Sequence, residues 1–227
     1  MTRPIAPGAV VSRIWALYQR EAGTLLPAAA LLYAIQFLVA IVLPTSLAII
    51  VSIVFWVLVI LYQGFVVELV AADESNRRMT TGELLRAVTP VLGSLLVISI
   101  LFVVALVIGF VLIIIPGLIL LTIWSVVVPV EVLEHRGVLG SFGRSRELVR
   151  GNGWNVFGVI VMVWVAAIVV SFLAGLLAAG LGHVGRDIVQ WAVNVAIAPL
   201  VALSATVLYL ELRRAHAEPA PEPAPVP

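Results

Sequence analysis

The sequence predicts an all-α membrane protein with six transmembrane helices and short amphipathic surface helices on the cytoplasmic side. Three observations carry that expectation. Of the 227 residues 63% are hydrophobic and only 11% charged, and mean hydropathy is +1.19. A soluble domain of this length has too little interior to bury so much apolar surface. Apolar runs of about 20 residues recur, the length needed to cross a hydrocarbon core of ~30 Å. And the arginines fall in alternate connections between those runs.

In chain order, residues 1–24 read as a lead with a first surface helix, Ala9 to Glu21. It carries Val10, Ile14, Leu17 and Tyr18 on one side, Arg13 and Arg20 on the other, and a stop at Gly23. The membrane domain follows over 25–212. A first span, 25–43, turns at Pro44-Thr45-Ser46, and a second, 47–72, returns to the polar loop DESNRRM. Thr80 and Glu83 match a capping box, in which each side chain closes the other's free backbone N–H. They would start a short helix with Leu84, Leu85 and Val88 inward, ended by Pro90. The third span is 91–115, turned by Pro116-Gly117, and the fourth 118–134.

A second strongly amphipathic segment follows. Val138, Phe142, Ser145, Leu148 and Val149 face one way and Arg144, Glu147 and Arg150 the other, a pattern suited to lying on a membrane surface. The fifth span is 154–179, the loop GLGHVGRD comes next, and the sixth span is 188–212. The tail, 213–227, is a Pro/Ala/Glu repeat that cannot form a core and is expected to be disordered. No cleavable signal peptide is expected, because the first apolar run starts behind a polar lead without a small-residue cleavage site. Three times an arginine-bearing amphipathic segment precedes a pair of spans, which suggests a threefold unit of surface helix plus hairpin.

Orientation follows from charge. Twelve of the thirteen arginines fall on one side and only Arg186 on the other, so the positive-inside bias puts both termini in the cytoplasm. Every basic residue apart from histidine is Arg and none is Lys, a composition expected of a GC-rich bacterial genome and hence of an inner-membrane location. A net charge of +1 gives no bulk attraction to nucleic acid. The absence of cysteine removes disulfides, thiolate metal sites and cysteine nucleophiles.

Three motifs resemble a known family: IIIPGLILLTIWSVVVPVEVLE, SFGRSRELVRGNGWNVFGVI and ATVLYLELRRAHAE. Together with Pro116-Gly117, Pro129, Glu134 and Trp154 they are similar to the membrane domain found beside some glycerophosphoryl diester phosphodiesterases and to related stand-alone bacterial membrane proteins. The resemblance runs from about Ala16 to Arg214. It implies a six-span fold and an association with lipid metabolism, and it implies no catalytic residue. Glu134-His135-Arg136-Gly137 superficially matches the opening motif of the phosphodiesterase itself. Here it ends a span, with no soluble barrel to supply partners.

The candidate residues form two groups. Glu68, Glu131 and Glu134 are acids within or at the ends of spans, where an ionisable group suggests an ion or proton relay or a buried ion pair. Arg136, Arg144 and Arg146 stand near enough in sequence to pair with Glu131 or Glu134, and these three with Arg150 are suited to contacting anionic lipid heads or a partner protein. The span amides Gln36, Gln63, Gln190 and Asn194 suggest hydrogen bonds between helices or a cavity lining. Ser171, Gly175 and Ala179, with Ala198, Ala202 and Thr206, suggest a small-residue seam between spans five and six, or a dimer face. Trp15, Trp154, Trp191 and Tyr209 fit an aromatic belt. No metal spacing, phosphate loop or catalytic triad is present, so no cofactor is expected. The leading expectation is a non-catalytic, lipid-interacting membrane protein. The alternative is a small transporter or channel using Glu68, Glu131 and the amides.

Overall fold

The computed structural model describes residues 4–42, 48–112 and 114–217. Among them the chain is built of nine α-helices: α1 (Pro7–Val42), α2 (Ala48–Glu74), α3 (Thr81–Val88), α4 (Leu92–Leu112), α5 (Ile114–Ile123), α6 (Val127–Glu134), α7 (Gly137–Val149), α8 (Gly153–Ala178) and α9 (His183–Ala215). Five stretches are long and apolar enough to cross a membrane: Ser52–Glu74, Thr81–Val111, Ile114–Glu134, Gly153–Ala178 and His183–Ala215. These are the helices of a multi-pass membrane protein. The expected turn at Pro44-Thr45-Ser46 and the tail from Glu218 lie outside the described residues.

The first surface helix and the first expected span are one helix. α1 begins at Pro7, where a missing N–H and a preset φ suit the first helical position, and it runs through Gly23 and Pro27 to Val42. The expected stop at Gly23 fails because burial outweighs propensity. Val10, Ile14, Leu17, Leu25, Ala29 and Leu32 are buried on one continuous stripe, and such packing offsets the ~1 kcal/mol intrinsic cost of a helical glycine. The stripe packs against α2 and α9. The Tyr62 hydroxyl donates to the Leu25 carbonyl at 3.3 Å and Tyr33 meets Phe55 edge-on, so α1 and α2 form an antiparallel hairpin.

Thr80 caps α3 with both halves of the expected capping box. Leu84 and Val88 are buried as expected, whereas Leu85 is exposed, since it lies about 100° round the helix from Leu84. Pro90 does not end the segment. It sits in a single 3-10 turn, Thr89–Val91, which passes directly into α4. α4 ends at Leu112 and α5 begins at Ile114, ahead of Pro116-Gly117, and the two helices pack against each other. Pro116 occupies the first turn of α5, where no N–H is missed. Gly117 permits a close approach: a Cβ there would stand 2.7 Å from the Phe110 ring.

The fourth span is broken rather than continuous. Trp124, Ser125 and Val126 interrupt it between α5 and α6. Pro129 explains the break, because it offers no N–H to the Ser125 carbonyl and its ring would crowd that oxygen in an unbroken helix. The Ile123 carbonyl left free is taken by the Ser145 hydroxyl of α7 at 2.9 Å. α6 ends at His135 with φ 50°, and Gly137 at φ 69° completes a left-handed corner that glycine adopts without a Cβ clash. The corner folds α7 back onto α6.

The expected apolar face of α7 is the one that packs inward, with Val138 and Phe142 half-buried, and Ser141 joins it. Ser141, Ser145, Leu148 and Val149 are buried against the protein while Leu139 is exposed, because serine hydroxyls satisfying partners on α5 and α6 draw that side inward. α9 starts at His183 and takes in Asp187, so the loop before it is shorter than expected, and it runs to Ala215, into the expected tail. Its C-terminal half is the centre of the fold, with Leu203, Val207, Leu208, Tyr209 and Leu212 all buried. Tyr209 therefore belongs to the core and not to an aromatic belt. The small-residue seam holds only on α9, where Ala202 and Thr206 are buried. On α8, Gly175 and Ala179 are exposed, and a Cβ at Gly175 would meet nothing within 4 Å.

Candidate functional site

The polar groups gather at the end of the bundle that holds the start of α1, the ends of α2, α6 and α9, and all of α7. Glu134, at the last position of α6, is its hub. The Arg144 guanidinium of α7 approaches its carboxylate at 3.1 Å and Arg136 at 3.0 Å. The Tyr209 hydroxyl, seventy-five residues away in sequence, donates to it at 3.0 Å. Arg213, one turn further along α9, donates to the same Tyr209 oxygen at 2.9 Å and lies over the ring. One carboxylate thus binds α6, α7 and α9 together.

Glu131, one turn earlier on α6, is 2% exposed, and its carboxylate accepts a hydrogen bond from Ser141 of α7 at 2.7 Å. Both acids therefore dock α7. Arg146 does not join them, for it is exposed. Of the arginines expected to face lipid, Arg144 is committed to Glu134, with 14% of its side chain exposed, and Arg136 is half exposed. Arg146 and Arg150 are both exposed.

A second polar knot joins the other helix ends. Arg13 of α1 pairs with Glu74 of α2 and Glu211 of α9, and Arg214 bridges the same two acids at 2.6 and 3.0 Å. Arg20 pairs with Asp73. Nearby, the backbone N–H of Ile5 donates to the Asn152 side chain at 3.1 Å, fastening the N-terminal segment to the α7–α8 corner. None of these long-range partners was identifiable from spacing, since none is close in sequence.

Glu68 of α2 is also 2% exposed. Its Oε1 has no hydrogen-bond partner among the described residues, and it is brought next to neither Glu131 nor an arginine by an ion pair. Trp154 stands exposed at the start of α8. Gln190 bonds Asn194 within α9 at 3.0 Å rather than crossing to another helix. Gln63 lines a cavity of about 300 Å³ beside the break between α5 and α6. Among the described residues no group of three or more metal-binding side chains comes together.

Chemically, the arrangement is one of docking. The acids at the α6–α7 corner are engaged by hydroxyls and guanidiniums, and the exposed groups around them are mainly arginines, with Glu147 exposed among them. Searches against protein-family models, curated proteins and solved structures give no match.

Proposed function

We propose that this chain is a six-span protein of the bacterial inner membrane, with both termini in the cytoplasm, that is not itself an enzyme and contacts anionic phospholipid through an arginine face. The observation that carries the proposal is the division among the arginines. Arg13, Arg20, Arg144 and Arg214 are spent on internal ion pairs. Arg146 on α7 and Arg150 just past its end stand exposed and make no ion pair among the described residues. Arg77, Arg78 and Arg86 are exposed on and before α3. An arginine near an anionic leaflet contributes ~1 kcal/mol, so several at one end of the bundle make a lipid-binding surface. The span added to the five long apolar stretches is the apolar second half of α1, and the one-sided arginines support the orientation. The resemblance to phosphodiesterase membrane domains adds glycerophosphodiester metabolism as the setting.

The test is native mass spectrometry of the protein extracted in gentle detergent, comparing bound lipid with the bulk membrane. One anionic or glycerol-bearing lipid should be enriched, and Arg146→Glu with Arg150→Glu should reduce that enrichment about tenfold, the effect of removing ~1.4 kcal/mol. Arg144 is left intact because it holds the fold. Bound lipid that mirrors the membrane in both forms would sink the proposal. The unpartnered Oε1 of Glu68 favours the transporter reading as the second choice. That reading requires solute flux in vesicles that Glu68→Gln abolishes.

A further inference from the structure

The cavity beside the α5–α6 break is bounded by α2, α4, α8 and α9 as well. Trp56, Phe102, Trp124 and Trp164 line it, and no acid, arginine or histidine does. Trp164 is 54% exposed and marks the edge that opens toward lipid. Besides the tryptophan indoles, two polar side chains in the wall lack hydrogen-bond partners among the described residues. The Gln63 amide makes no hydrogen bond, and the Ser125 hydroxyl, at the break itself, is buried without one. Polar groups left unpaired inside hydrocarbon are costly, so their presence in one wall points to something that pairs with them.

We infer that this cavity binds a neutral amphiphile: an apolar chain or ring that carries one carbonyl or hydroxyl oxygen. The lining dictates each part. Absence of charged side chains from the wall selects a neutral molecule. An amide that both donates and accepts, with a hydroxyl in the same wall, takes a single oxygen in either role. Four aromatic side chains take the apolar body. The volume is at the lower end of the roughly 300–1,000 Å³ of small-molecule sites.

Depth separates two sources of such an oxygen. Gln63 lies about 16 Å of helix before Glu74, at ~1.5 Å per residue, near the middle of a ~30 Å core. The ester oxygens of a bilayer lipid stay at the interface, so the occupant is a free amphiphile that enters past Trp164.

The experiment uses the full chain in phosphatidylcholine vesicles, titrated with 11-bromoundecanol, whose bromine quenches tryptophan on contact. Part of the emission should be quenched saturably. Gln63→Leu and Ser125→Ala should each raise the half-saturating concentration about tenfold. Ser125→Ala removes a single hydroxyl, so its result stands even if Gln63→Leu misfolds. Linear quenching that is the same in all three proteins would overturn the site. In vesicles of phosphatidylcholine brominated along its acyl chains, without the alcohol, the three proteins should be quenched alike. Quenching there that falls in both variants would assign the cavity to a bilayer lipid and overturn the free amphiphile.

Discussion

The two ends of this bundle are held by different physics. At the arginine-bearing end, Tyr209, Leu84, Leu148 and Leu212 are fully buried, along with Glu131 and Ser145, and carboxylates tie α1, α2, α6, α7 and α9 to one another. Toward the opposite end, Val107, Ile108 and Val111 of α4 and Phe172, Leu173 and Leu177 of α8 lie exposed on the helix surfaces. The second set is as apolar as the first. What differs is the solvent each is made for: lipid tails are as apolar as leucine, so burying such side chains between helices gains little in a bilayer. Specific fold energy should therefore concentrate where hydrogen bonds, ion pairs and close packing coincide.

The largest expected effect tests that concentration directly. Tyr209→Ala removes a fully buried ring and the hydroxyl that links Glu134 to Arg213, and should cost about 3–5 kcal/mol. In detergent the midpoint of thermal unfolding should fall on the order of 10 °C. Phe172→Ala, of similar volume loss at the other end, should stay within about 0.5 kcal/mol. Equal losses would mean that both ends carry the fold alike.

How much of this was legible in sequence depends on the range of the interaction. The capping box at Thr80 and Glu83 was readable because both partners lie within one turn. So was the cluster of Glu134 with Arg136 and Arg144, which are at most ten residues apart. The break in the fourth span was latent in Pro129, whose missing N–H disfavours a continuous helix through Ser125. By contrast, Arg13 with Glu211, Tyr209 with Glu134 and Ile5 with Asn152 join distant positions, and no helical period encodes them. α1 misled for another reason. Gly23 has the local signature of a stop, and only the buried stripe through Leu25, Ala29 and Leu32 overrides it. The cavity at Gln63 and Ser125 depends on six helices meeting and has no linear signature beyond two polar residues in apolar runs.

An intermediate effect separates charge from packing at the polar end. Glu134→Gln keeps the volume and one acceptor but takes the nearer anion from the largely buried Arg144, leaving it Glu147 at 3.6 Å, and should cost about 1–3 kcal/mol. Adding Arg144→Gln should cost less than the two single changes summed, because the second removes a charge whose nearer partner the first has already taken away. Strict additivity in the double-mutant cycle would show that the pair is incidental and that apolar packing alone docks α7.

The smallest expected effect is the sharpest check on the apolar end. Ser171, Gly175 and Ala179 have the spacing of a close helix contact, yet Gly175 faces open space. Gly175→Leu should leave the unfolding midpoint unchanged or raise it slightly, since replacing a helical glycine recovers up to ~1 kcal/mol of propensity. The mass of the detergent-extracted particle should not change either. A fall in stability accompanied by loss of a larger species would mean that this stripe seats a second copy of the chain, with the glycine serving an interface between molecules. The apolar end would then owe its order to assembly, and the contrast between the two ends would become one between contacts made within a chain and contacts made between chains.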